Sequence, residues 1–291
     1  MAQYGNMSEE ILSDQYNRNI DLNNFLVDDH RELLFCVIPK AACTNVIKTM
    51  AVSQDMRFID DSYKKSDSKR NLTEREAMIE NIAKRPTMKS HNRKFYQSVG
   101  MDYLTYTPRQ ELFHKFSTYK KFMVVRNPYT RILSAFRDKF EKGYDRVYRR
   151  NYGIKIGKTY RMFYYGKGDD ITFNEFVKYI IDTWKKNSGD LERHWRPYFD
   201  LCHPCIIHYD LIAKKENLTE EFKPFFLWFE NNSFDSVLAA KHGPKTDSSS
   251  ILTVQKYYDS VDKNLIPLLA KVYDIDFKLF GYDNDRISFK S

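Results

Sequence analysis

Apolar residues in this chain fall into a few short unbroken runs and several longer stretches where they recur every three or four positions. Residues 33–38, LLFCVI, form such a run, end at Pro39, and predict a buried strand with a helix over 43–52 behind it. A second run, FMVV at 122–125, predicts another short buried strand. After it Asn127 offers an N-cap and Pro128 a first helical position, with Ile132, Leu133, Phe136 and Phe140 on one face. Thr172 and Glu175 have the spacing of a capping box ahead of Phe173, Phe176, Val177, Ile180, Ile181 and Trp184, an amphipathic helix. Residues 206–209 read as a third strand, and 265–273 as a late helix starting near Pro267, because a proline deep inside it would break it. Residues 1–30 are polar and read as peripheral; 53–90 read as a loop plus an exposed helix. Strands separated by helices predict an α/β fold with a mainly parallel central sheet flanked by helices. With no repeat and no Pro/Gly/Ser-rich linker, the expected organisation is a polar segment, 1–29, and one domain, 30–285.

Composition narrows the partners. Lys and Arg number 47 against 39 Asp and Glu, a formal charge of +8, which suits an anionic partner. Charge alone leaves nucleic acid, a membrane surface, an acidic polysaccharide and a merely soluble basic surface all open. No run approaches the ~20 apolar residues of a membrane span, and the first residues lack the pattern of a signal peptide, so the chain as written reads as soluble, without a targeting segment. Four cysteines, Cys36, Cys43, Cys202 and Cys205, are too few for a disulfide scaffold. The LCHPC pair reads as half a zinc site or a redox dithiol, and the other two cysteines have poor ligand spacing, so no metal is expected. Glycosylation sequons at Asn6, Asn71, Asn217 and Asn231 lean toward a secretory compartment.

Two strand–turn–helix units carry the chemistry. A helix N-terminus offers free N–H groups and partial positive charge, which suits phosphate. In the first unit, PKAACTN, Lys40 adds a full charge, and Thr44 and Asn45 can donate from their side chains. There is no glycine between Gly5 and Gly100, which excludes a Walker loop and a dinucleotide fingerprint and disfavours a nucleotide kinase. In the second unit, RNPYTRILSAFRDKF, Arg126 ends the strand and Ser134 lies two helical turns beyond the N-cap, near its azimuth. An arginine there can grip a phosphate in bidentate fashion and the serine can add a donor. Two such units suit a ligand with phosphate-like groups at both ends, such as a nucleotide bearing 5′ and 3′ phosphates.

These motifs resemble those of the Golgi carbohydrate sulfotransferases, in particular the branch with the chondroitin and dermatan 4-O-sulfotransferases. PKAACTN is similar to the family's 5′-phosphosulfate loop and RNPYTRILSAFRDKF to its 3′-phosphate motif. GDDITFNEFVKYIID, HWRPYFDLCHPCIIHYDLIAKKENL and VYDIDFKLFGYD continue the likeness in order over roughly 30–283. Val46 stands where the family commonly has tryptophan, and Asn127 and Thr130 where it has acids; neither change removes a phosphate ligand. The resemblance implies the P-loop-like nucleotide-binding core of sulfotransferases and 3′-phosphoadenosine 5′-phosphosulfate as sulfuryl donor. It implies nucleotide contacts from Pro39, Lys40, Ala41, Ala42, Cys43, Thr44, Asn45, Arg126 and Ser134, and a Golgi lumenal location. The family's N-terminal anchor is missing, so membrane association is expected only if an anchor is absent from this chain.

Sulfuryl transfer is an in-line displacement that depends on positioning and electrostatics. Lys40 is expected to stabilise charge growing on the leaving phosphate. The acceptor hydroxyl needs a general base, and His91, His114 and His194 are candidates. His91 is favoured by its place between the two nucleotide-binding units, with His194 the alternative. The stretch 146–168 has seven Lys/Arg, no acid, five Tyr and one Phe, and reads as a groove for an anionic polysaccharide acceptor through Arg149, Arg150 and Lys155. Basic plus aromatic also describes single-strand nucleic-acid binding and a solvated loop. Nucleic acid is not the expected partner. The competing reading from another class is a non-catalytic binder of anionic polymers; intact Lys40, Arg126 and Ser134 argue against it.

Overall fold

A tight antiparallel hairpin opens the sheet. In the computed structural model, which describes residues 21–50, 93–98, 100–141, 145–227 and 247–284, β1 (Phe25–Asp28) pairs with β2 (Leu33–Cys36), Phe25 opposite Cys36 and Asp28 opposite Leu33. The turn between them is fixed by the buried Asp28 carboxylate, which accepts from Arg31 N–H (3.1 Å) and Nη1 (2.7 Å). All four β1 residues are buried, inside the stretch whose polarity predicted no element. The remaining strands are β3 (Asp102–Tyr103), β4 (Lys120–Val125) and β5 (Leu211–Lys214), in the order β3-β1-β2-β4-β5.

The sheet is mixed. β2 and β4 run parallel, joined by a long connection that begins with helix α1 (43–50), whereas β1 is antiparallel to both β2 and β3. The short β1–β2 connection accounts for this, since only antiparallel neighbours can be joined by so tight a turn. The strand expected at 206–209 lies a few residues later. Asp210 starts the pairing: its N–H donates to Lys121 carbonyl (2.8 Å) and its carboxylate accepts from Lys121 N–H (2.8 Å). Residues 51–92, with the loop and helix expected there, lie outside the described residues.

Contacts divide the described chain into two compact units. The first contains the sheet and takes in the described residues through Ile38, those of Ala42–Val124 and those of Cys202–Gly243. Its core stacks Phe35 on Phe122 at 4.7 Å, with Phe222 and Phe225 against Phe122 and with Val46, Ile47 and Met50 from α1. A Cys36–Cys202 disulfide lies within it, while Cys43 is a buried and Cys205 an exposed thiol. This corrects the reading of Cys202 and Cys205 as a dithiol or half a zinc site: Cys202 is bonded to a strand residue 166 positions away.

The second unit holds Pro39–Ala41, Val125–Leu201 and the described residues from 247. Its helices are α2 (Pro128–Phe136), α3 (Phe173–Lys186), α4 (Ile251–Asp259), α5 (Leu265–Val272) and α6 (Asp274–Phe280). Asn127 caps α2 through Tyr129 and Thr130 N–H, and Thr172 and Glu175 close the capping box of α3, both as the sequence predicts. Ile132, Leu133, Phe136, Phe140, Phe176, Ile180 and Trp195 share one core. α5 begins at Leu265 rather than near Pro267. Pro267 is the third helical residue, where the N–H has no intrahelical partner in any case, so the ring costs no hydrogen bond.

The disulfide yields a test. Cys36→Ser or Cys202→Ser is expected to lower stability by ~2–5 kcal/mol. Thermal melts of the unaltered chain should shift downward with reductant, and those of either variant should not. Identical melts with and without reductant would contradict the bridge.

Candidate active site

The turn after β2 has no glycine, yet Lys40 and Ala42 both sit at left-handed φ, 70° and 65°. Each such residue costs roughly 1–2 kcal/mol, so the turn needs outside support. Two arginines of the second unit supply it. Arg131 Nε donates to Pro39 carbonyl (2.9 Å) and Arg126 Nη1 to Lys40 carbonyl (3.1 Å). Arg131 is fully buried and also donates to the carbonyls of Arg196 (2.7 Å) and Arg193 (2.8 Å), with its guanidinium 4.7 Å from the Tyr198 ring. One side chain therefore fixes both the Lys40 turn and the segment around His194. Thr44 and Asn45 are half-buried in the first turn of α1, and like Ala42 and Cys43 they belong to the first unit.

Arg126 is buried and its donors are directed at protein oxygens. Nε reaches Thr130 Oγ1 (2.9 Å), and Nη2 reaches Ser248 carbonyl (3.1 Å), Ser248 Oγ (3.0 Å) and Ser249 Oγ (2.9 Å). Its backbone carbonyl accepts from Tyr198 Oη. Ser134, on the same helix as Thr130, is 3% exposed.

From the Lys40 turn a chain of charged and polar groups runs through the second unit. Lys40 Nζ lies 3.2 Å from Asp138, which also meets Lys139 at 3.4 Å. Lys139 reaches Asp145 (3.0 Å) and lies 4.2 Å from the centre of the Tyr148 ring. Tyr148 Oη donates to Glu192 Oε1 (2.8 Å) and sits 2.9 Å from His194 Nδ1. Nδ1 in turn is 2.9 and 3.0 Å from the two Glu192 oxygens, and Glu192 Oε2 accepts His194 N–H at 2.8 Å. Asp138 and Lys139 lie on a wide π-helical turn, Arg137–Glu141, directly after α2.

Electrostatics sets the protonation of these groups. Burial, against the opposing pull of Glu192 and with repulsion from Lys139 and Lys40, lowers the His194 imidazole to about 4. Burial pushes the Asp138 carboxyl upward, but Lys40 and Lys139 outweigh it and hold the group below its usual range. Burial and the Glu192 charge raise the Tyr148 phenol far above its ordinary value. Near neutral pH the site thus holds a neutral imidazole, a neutral phenol and ionised carboxylates.

The residues expected from sequence are divided among different surroundings. Lys40, Arg126, Ser134 and His194 lie in the second unit; His91 falls outside the described residues. His114 is exposed in the first unit, its ring centre 6.2 Å from that of Tyr119. Of the basic stretch, Arg149 pairs with Asp169 (2.9 Å), whereas Arg150 and Lys155 are exposed, as are Met162, Phe163 and Tyr165. Arg193 Nε and Nη2 are buried with no hydrogen-bond partner among the described residues, a donor set suited to an anion. Among the described residues no three His, Cys, Asp or Glu group to hold a metal.

Arg131, Asp138, Tyr148, Glu192, Ser248 and Ser249 did not emerge from the sequence reading. A signal for the first two was present: Asn127, Arg131, Ser134 and Asp138 recur at steps of four, three and four, a polar stripe of which only Asn127 and Ser134 were read. Nothing local marks Ser248 or Ser249, whose partner lies 122 or 123 positions away.

A mixed sheet and capped helices, with a lysine turn held by two buried arginines, are the features of an α/β enzyme. Residues 23–283 match the model of the sulfotransferase family, and the chain belongs to that family. It is 30% identical to carbohydrate sulfotransferase 11 of Mus musculus over 266 residues, which is 90% of this chain and 68% of that one. To carbohydrate sulfotransferase 14 of Danio rerio it is 29% identical over 271 residues, 90% of this chain and 62% of the relative. Human carbohydrate sulfotransferase 14 is 28% identical over 266 residues, 90% of this chain and 60% of the relative. No solved structure matches the chain.

The buried His194 gives stability a pH dependence. Its folded pKa, about 4, lies below the ordinary 6.5, so the stabilisation is present above pH 6.5 and lost as pH falls toward 4. Denaturant midpoints of the unaltered chain should fall across that window more steeply than those of His194→Gln. Parallel curves would contradict a buried neutral imidazole.

Proposed function

We propose that the chain transfers a sulfuryl group from 3′-phosphoadenosine 5′-phosphosulfate to a hydroxyl of a glycosaminoglycan-type sugar, chondroitin-like in character. The observation that carries the reading is the Lys40 turn. A cationic side chain sits on a strained backbone that two buried arginines hold, in a chain of the sulfotransferase family. The relatives' names supply the carbohydrate acceptor.

Pro39–Asn45 would receive the 5′-phosphosulfate. Lys40 would meet charge on the leaving phosphate oxygen, an interaction that strengthens as the S–O bond breaks. Arg126 and Ser134 would serve the 3′-phosphate, with Arg126 supplying buried positive charge and positioning the Ser248 and Ser249 hydroxyls. Arg150 and Lys155, with Arg149, would hold the acceptor's carboxylates or sulfates, and the unpaired donors of Arg193 suit the same class of anion. His91 and His194 are the two histidines considered for proton removal. A disulfide and an exposed sequon asparagine, Asn217, favour an oxidising lumenal compartment such as the Golgi.

The direct test is sulfate transfer from labelled nucleotide onto a panel of desulfated glycosaminoglycans. The unaltered chain should label at least one, and Lys40→Ala should fold yet lose ~10²–10³-fold in kcat. Nucleotide binding without transfer to any acceptor would favour a non-catalytic binder. Neutralising Arg149, Arg150 and Lys155 together should raise the acceptor's KM and flatten its salt dependence with nucleotide affinity intact. Unchanged acceptor kinetics would return that stretch to a solvated surface.

A further inference from the structure

We infer that Glu192 and Tyr148 lock His194 into one tautomer and one orientation, so that His194 Nε2 takes the proton of the acceptor hydroxyl. This rests on the sulfuryl-transfer reading above and assigns a base and its positioning residues within it.

The tautomer follows from the donor inventory. An ionised carboxylate only accepts, and both Glu192 oxygens lie within 3.0 Å of Nδ1, so Nδ1 carries the proton. A neutral imidazole has one N–H, which leaves a lone pair on Nε2, and no group among the described residues pairs with that nitrogen. Glu192 is itself immobilised by donors from Tyr148 Oη, His194 N–H and Nδ1. Tyr148 is held in place by stacking on Tyr152 (5.6 Å, 25°), while its ring meets the His194 ring edge-on (5.3 Å, 82°). Each member of the arrangement is therefore fixed by another, and the one open valence is a basic lone pair.

A purely structural role explains this poorly. A buried carboxylate–imidazole pair is weak as a source of stability, because apolar residues of similar volume commonly do as well. The pair also sits beside the charges that the reaction requires. The titratable and charged groups bearing on His194 are Glu192 on its own segment, the neutral Tyr148 phenol across from it, and Lys139, Asp138 and Lys40 from the turn after α2 and the Lys40 turn. Burial, reinforced by the two lysines, keeps the ring neutral before reaction, and Glu192 neutralises the imidazolium once it forms. In the step itself the acceptor O–H proton moves to Nε2 while the hydroxyl oxygen bonds to sulfur. The bond from sulfur to the 5′-phosphate oxygen breaks, its electron pair stays on that oxygen near Lys40, and His194 later releases its proton to water.

The experiment compares the full chain with Glu192→Gln, Tyr148→Phe, His194→Gln and His91→Ala. It measures kcat at saturating nucleotide and acceptor from about pH 3 to 9, a range that includes a limb set by the His194 imidazole at about 4, with binding of adenosine 3′,5′-bisphosphate as the control for fold and nucleotide site. His194→Gln should lose ~10²–10⁴-fold in kcat with bisphosphate binding retained. Glu192→Gln, an isosteric change that tests the idea even if His194→Gln misfolds, should lose about tenfold or more. Its acid limb should also move to lower pH by about one unit, because the imidazolium has lost its counter-charge. Tyr148→Phe should lower kcat with the acceptor KM unchanged. A Glu192→Gln enzyme with the unaltered kcat and an unmoved acid limb would overturn the inference. So would His91→Ala losing turnover while His194→Gln keeps it. An unaltered chain that binds no bisphosphate and transfers no sulfate overturns the functional reading itself, a separate result.

Discussion

The second unit is organised around the guanidinium of Arg131. It is fully buried and spends its donors on three backbone carbonyls, those of Pro39, Arg193 and Arg196, which lie 62 to 92 positions away in sequence. Three carbonyls left without a partner would each cost about 1–3 kcal/mol, so removing the side chain would release both segments together. One of those segments carries Lys40 and the other His194. A single buried charge thus sets the spacing between the group assigned to the leaving phosphate and the group assigned to the incoming hydroxyl.

Arg131 also explains how a loop without glycine can do what glycine-rich loops do elsewhere. The left-handed φ at Lys40 is supported by bonds from Arg126 and Arg131 to the Lys40 and Pro39 carbonyls rather than by the absence of a side chain. The cost is that the loop depends on residues far away in the chain, on α2 and the strand end before it. The benefit is that a charged side chain occupies a position where a Walker loop would need glycine. Strain held at a reactive position by surrounding structure is a familiar mark of functional sites.

Local chemistry made part of this legible. The α2 N-cap at Asn127, the Thr172–Glu175 capping box and the runs at Leu33 and Phe122 are short-range signals, and the structure has each of them. β1 was missed because a four-residue strand, buried on both faces between two neighbours, carries no alternation to read. The Cys36–Cys202 bridge and the Arg126–Ser248 contact join residues more than a hundred positions apart and leave no local trace. Lys40 was legible because it sits in a strand–turn–helix unit whose PKAACTN motif resembles the family's 5′-phosphosulfate loop; Glu192 was not, because its meaning comes from Tyr148, 44 positions earlier.

The proposed function calls for a nucleotide with phosphate groups at both ends, and calorimetric titration tests that most directly. Adenosine 3′,5′-bisphosphate should bind the unaltered chain more tightly than adenosine 5′-monophosphate, and Ser134→Ala should shrink the difference while leaving the monophosphate affinity nearly unchanged. Equal affinity for the two nucleotides, or equal losses for both in Ser134→Ala, would contradict the account.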